Sequence, residues 1–155
     1  MPRILHRGGS LAPARLCALC ALAVACVCGS PALAQESKAK SCLRTKVWEG
    51  YADGWKLRTM STSKLEEGST RNYLVTFYPN KEYKLSACGD DKGGDLDLLV
   101  YDLQGKVVER DPTTDRQPEL TFQTDKASTY YIVVHARDVV DKGGSTWTAL
   151  AVTYR

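Results

Sequence analysis

From residue 57 to the C-terminus, short runs in which apolar side chains alternate with polar ones are separated by Gly, Pro, Asn and Asp. A period of two marks a strand with one buried face. "LRTMST" (57–62) is the first such run. "RNYLVTFY" (71–78), rich in aromatic and β-branched residues, is the second. Pro79 and Asn80 lead into "EYKLSAC" (82–88), where Tyr83, Leu85 and Ala87 alternate with polar neighbours. "DLDLLVYDL" (95–103) is followed by "QGK" and "KVVER" (106–110), a hairpin signal. "ELTFQT" (119–124) places Leu120 and Phe122 on one face. "TYYIVVHAR" (129–137) is the strongest strand pattern, and "STWTALAVTYR" (145–155) closes the chain. Seven to eight short strands with regularly spaced turns predict an antiparallel β-sandwich. Successive hairpins are expected, which leaves no room for βαβ crossovers.

The segment before these strands has a different period. Val47, Tyr51 and Trp55 recur every four residues with Trp48 beside them, which predicts a short amphipathic helix within 42–59. Gly50 and Gly54 weaken it by up to about 1 kcal/mol each. Core packing accounts for such an aromatic stripe; a binding surface, such as one that stacks sugar rings, is the sharper reading. Trp48, Tyr51, Trp55 and Trp147 are its candidates. Residues 35–41, "QESKAKS", read as a polar, disordered linker, and 42–155 as one domain.

Residues 1–34 read as a secretory signal peptide. Arg3, Arg7 and Arg15 are basic, Leu16 to Val27 is apolar, and Gly29, Ser30 and Pro31 break the run. Ala32 to Ala34 then supply small residues, so cleavage is expected before Gln35. The apolar run falls short of the roughly 20 residues that span a bilayer, and no later stretch is apolar enough to be a transmembrane helix. Lipidation needs a Leu-like residue three positions before the modified Cys. Cys26 has Ala23 there and Cys28 has Ala25, so a lipoprotein anchor is the lesser alternative to a periplasmic or secreted protein.

That leader changes the charge and the cysteine inventory. The formal net charge is +3, from 21 Lys and Arg against 18 Asp and Glu. Three of the cations and none of the acids lie in the leader, so the remainder is formally neutral. Neutrality argues against a nucleic-acid surface. Of six cysteines, Cys17, Cys20, Cys26 and Cys28 belong to the leader, which leaves Cys42 and Cys88. An even pair in an exported chain favours a disulfide, here one that staples the N-terminal segment to the strand ending at Cys88. It would stabilise by about 4 kcal/mol through loop closure.

Candidate chemistry centres on "ACGDDKGGDLDLLVYDLQGK" (87–106). Asp90, Asp91, Asp95 and Asp97 with nearby glycine carbonyls supply the oxygen ligands calcium takes, although the EF-hand order is absent. Turn chemistry is the plainer reading, because "DKGG" recurs at 141–144, again before a strand. On a strand, Asp95 and Asp97 share one face and Leu96 and Leu98 the other. Catalysis lacks a constellation. His135 is the one histidine outside the leader and lies in mid-strand, and no G-x-S-x-G or HExxH occurs. One histidine and two paired cysteines cannot make a zinc site. Paired-carboxylate chemistry and a phosphate-binding glycine loop are likewise without a signal.

From Asn72 to Ala136 the order of features resembles the bacterial pre-peptidase C-terminal domain. The matching pieces are Tyr83, Leu85, Ala87 and Gly89; Asp95, Asp97, Leu98, Val100, Tyr101, Asp102 and Gly105; Leu120 and Phe122; and Tyr130, Tyr131, Ile132 and Val134. The resemblance implies an eight-stranded, jelly-roll-like β-sandwich in an exported protein. Relatives in clostridial collagenases bind collagen and calcium. The Val47–Trp55 segment lies outside that pattern. The expected function is therefore non-catalytic binding of a protein or of an envelope or extracellular polymer. The alternative is a calcium-stabilised structural or folding-accessory module for a separately encoded secreted hydrolase.

Overall fold

The computed structural model describes residues 31–155. One helix, α1 (Pro31–Ala52), precedes eight strands: β1 (Lys56–Glu66), β2 (Thr70–Phe77), β3 (Glu82–Gly89), β4 (Gly93–Tyr101), β5 (Val107–Arg110), β6 (Glu119–Gln123), β7 (Ser128–Val139) and β8 (Ser145–Tyr154). They form two antiparallel sheets of four strands, ordered β1-β8-β3-β6 and β2-β7-β4-β5. All eight predicted runs are strands, and the architecture is the expected all-β sandwich.

The strands do not pair as successive hairpins. Only β4 and β5 are neighbours in both sequence and sheet; every other connection between the described strands passes from one sheet to the other. Pro79 and Asn80, at a positive φ of 61°, carry the chain over the end of the sandwich. Phe77 at the end of β2 and Tyr83 at the start of β3 therefore face each other across the core, ring centroids 4.4 Å apart. The Tyr78 N–H donates to the Tyr83 hydroxyl at 3.0 Å and fixes that crossing. Phe122 and Tyr130 extend the aromatic cluster at 4.9 Å. Leu85, Leu96, Leu98, Val100, Ile132, Val134 and Val152 fill the rest of the space between the sheets.

A second, smaller core lies outside the first sheet. Ala39 and Leu43 of α1 pack on Cys88, Ala149 and Ala151, with Cys42, Val47 and Trp147 around them. The small side chains on β8 let the helix approach closely. Cys42 and Cys88 are joined, their Cα atoms 6.1 Å apart, so the disulfide staples helix to sheet as the sequence led us to expect. β3 and β8 are consequently buried on both faces over much of their length.

The helix differs from expectation at both ends. It takes in 35–41, the segment read as a disordered linker. That stretch holds no helix breaker, and Ala39 within it is fully buried. Pro31, with its φ preset, suits a first helical position. Residues 1–30, most of the expected signal peptide, lie outside the described residues, and the expected cleavage before Gln35 falls in the first turn of α1.

At the other end α1 stops at Ala52. The Trp55 N–H donates to the Gly50 carbonyl at 3.0 Å and the Gly54 N–H to the Tyr51 carbonyl at 3.1 Å, with Gly54 at φ +84°. This is a Schellman C-cap, which needs a left-handed residue at the Gly54 position. Trp55 folds back over Gly50, whose missing side chain leaves room for the ring: an added Cβ would meet Trp55 at 3.3 Å.

Candidate binding site

The four aspartates of the 87–106 segment do not converge. Asp90 is buried and accepts three hydrogen bonds: from Thr146 Oγ1 at 2.7 Å, the Lys92 N–H at 2.9 Å and the Trp147 N–H at 3.2 Å. It ties the β3–β4 turn to the start of β8. Asp91 points outward to Lys38 of α1 and, at 3.4 Å, to Arg116; the Lys38 hydrogen bond holds its carboxyl below the usual range. Asp95 and Asp97 lie on the outer face of β4, with Leu96 and Leu98 turned into the core, as the alternation predicts. Asp97 Oδ2 lies 2.9 Å from His135 Nδ1 on β7, and Arg137 is 3.6 Å from its other oxygen. Among the described residues, no group of three or more His, Cys, Asp or Glu is placed to hold a metal ion.

The two "DKGG" phrases make different turns. In the first, the Gly93 N–H donates to the Asp90 carbonyl; in the second, the Gly144 N–H donates to the Asp141 carbonyl. The four-residue turn therefore begins one residue before the first phrase and at the start of the second. Turn chemistry explains both without a repeat.

The aromatic candidates separate in the same way. Trp55 is only 5% exposed, because the C-cap tucks it under α1, with Lys84 and Arg155 over its ring at 4.8 and 4.6 Å. Trp147 is half-buried against α1. Trp55 thus belongs to the packing, and Trp147 does in part. Trp48, at 78% exposure, and Tyr51 remain open and meet edge to face at 5.7 Å.

These two rings form one wall of a groove of about 630 Å³ between the end of α1 and the start of β1. Leu57 and Met60 form the other wall, and Arg44 and Glu49 stand at the rim. Sequence reasoning missed Leu57 and Met60, because three residues apart on a strand should place them on opposite faces. A register shift between Leu57 and Thr59 removes that difference. Leu57 then pairs with Thr153 and Met60 with Ala151, both on the helix side of β8. A bulge leaves no reliable mark in the alternation.

β1 is the edge strand of its sheet. Lys56 and Lys64 on it, like Arg44 on α1, are exposed and form no ion pair with the described residues, whereas Arg58 donates to the Thr76 carbonyl at 2.7 Å. A second apolar surface lies on the opposite sheet, whose outer face α1 does not cover. There Leu74, Tyr131, Tyr101 and Val107 line up across four strands.

No protein-family model matches the chain, and no curated protein matches it. Solved structures do. The chain is similar to PliG of Aeromonas hydrophila, a periplasmic inhibitor of g-type lysozyme, at 14% identity and a TM-score of 0.50. That likeness covers 63% of this chain and 85% of PliG. It is also similar to the pre-peptidase C-terminal domain of a collagenase from Bacillus anthracis, at 19% identity and a TM-score of 0.51. There 62% of this chain and 89% of the domain are covered. At these identities the likeness is one of fold, and it meets the expected pre-peptidase resemblance at that level.

Proposed function

We propose that the chain is an exported, non-catalytic module that binds another protein through the groove between α1 and β1. The observation that carries this reading is the groove itself: an open, concave, mainly apolar surface with two exposed aromatic rings at a strand edge. Concave apolar sites with a few polar groups at the rim are the usual form of a binding site, and exposed aromatic residues dominate binding energy at protein interfaces. The disulfide suits an oxidising compartment. A periplasmic inhibitor with the same fold is a precedent for protein binding by such a sandwich.

A photo-crosslinking residue placed at position 48 tests the reading in the producing cell. We expect a discrete protein adduct that Met60→Asp reduces at least about tenfold, the loss typical of one interface anchor. The same probe at position 74, on the opposite sheet, serves as the comparison. Adducts at 74 and none at 48 would move the site to the other sheet. Co-sedimentation with envelope polymer that Trp48→Ala abolishes, without any adduct, would replace the protein partner by a polysaccharide.

A further inference from the structure

The groove borders a strand whose outer edge no described residue pairs with. β1 is eleven residues long, against five for β6 at the other edge of the same sheet. The edges of the opposite sheet, β2 and β5, have eight and four residues. An open edge presents unpaired N–H and C=O groups, which proteins usually shorten or cover. Here the longest edge is left open beside an apolar groove on the helix side. An added strand would set alternate side chains on that side, about 6.8 Å apart, and Trp48, Tyr51, Leu57 and Met60 would receive them.

Charge narrows the choice of occupant. Along β1, Lys56, Arg58 and Lys64 precede a single acid, Glu66, at the far end. Arg44 adds a cation at the groove rim, where Glu49 is the acid. Full-length antiparallel pairing of two copies of β1 would set Lys56 against Glu66 but Arg58 against Lys64, parallel in-register pairing would set every cation against itself, and like charges across a strand pair are destabilising. With three cations against one acid, the edge suits an acidic strand better than a second copy of itself.

We infer that the groove's occupant is an extended acidic segment of the partner, which adds as a strand to the free edge of β1 and seats alternate apolar side chains between α1 and β1. This inference rests on the binding role proposed above and specifies its ligand. Main-chain pairing supplies the affinity in such complexes, and pockets for alternate side chains supply the selectivity.

The test titrates the purified, oxidised protein with synthetic ten-residue peptides, following β1 amide resonances. One peptide alternates Val or Ile with Asp or Glu. A second carries Lys at every acidic position. Two more repeat the acidic sequence with N-methyl groups on one or the other alternate set of residues. We expect the acidic peptide to shift β1 amides, the Lys peptide to bind at least about tenfold more weakly, and one of the N-methylated peptides to lose binding. Lys56→Glu with Lys64→Glu should reverse the charge preference. No binding by any peptide, or equal binding by all four, overturns strand addition. Adducts at position 48 that persist in that event leave the groove as a binding site with a differently shaped ligand; loss of both removes the binding role itself.

Discussion

Asp90 and Asp95 are both buried, yet only Asp90 has its oxygens satisfied. Asp95 is 7% exposed, its Oδ1 has no hydrogen-bond partner, and the Arg137 guanidinium is 3.9 Å from Oδ2. Burial, followed by the neighbouring Asp97 charge, raises its carboxyl above the ordinary aspartate value of 3.8, and Arg137 only partly offsets this. A raised carboxyl binds its proton more tightly in the folded state than in the unfolded one. The stability this contributes is fully present below pH 3.8 and is lost as pH rises through the folded value. Asp95→Asn removes that loss. The variant should melt above the parent at pH 7, and the difference should shrink on acidification to pH 3. Thermal melts at the two pH values check it; a variant less stable at pH 7 would show that the ionised Asp95–Arg137 pair outweighs desolvation.

Helix α1 depends on its staple more than on its own pattern. Among the described side chains of α1, Ala39 and Leu43 are the fully buried apolar ones, a small anchor for so long a helix. The bridge closes a sequence separation of 46, which corresponds to about 4 kcal/mol of loop-closure stabilisation. Cys42→Ser together with Cys88→Ser should cost about that much in urea denaturation. Hydrogen exchange should show α1 amides losing protection before those of β3 and β8. Equal loss throughout would mean that the helix and sandwich unfold as one unit. The disulfide and the eight strands were legible because each rests on simple signals, the two cysteines outside the apolar N-terminal run and a period of two. Strand neighbours were not legible: which sheet β3 joins depends on how Phe77 and Tyr83 meet across the core. The helix end was misread because Trp55 continues the four-residue spacing, although Gly54 has already turned the backbone left-handed. The groove was half legible. Trp48 and Tyr51 stood out as aromatic residues, while Leu57 and Met60 required the bulge.

The whole molecule distributes its carboxylates and its open surfaces differently. One sheet is covered by α1, and the groove opens where that cover ends at the β1 edge. The four aspartates of the β3–β4 region serve three partners instead of one centre. Asp90 holds β8, Asp91 reaches α1, and Asp95 and Asp97 face β7. Calcium takes six to eight oxygens around one point, and convergence of this set would mean breaking the hydrogen bonds that Asp90 makes to Thr146 and Trp147. Thermal melts in calcium and in EDTA should therefore coincide, and Asp91→Asn should leave that agreement unchanged. A melting point that rises with calcium and ceases to do so in Asp95→Asn and Asp97→Asn would support the alternative, a calcium-stabilised accessory module. Coincident melts leave the aspartates as connectors within the fold and direct the search for function to the groove beside β1.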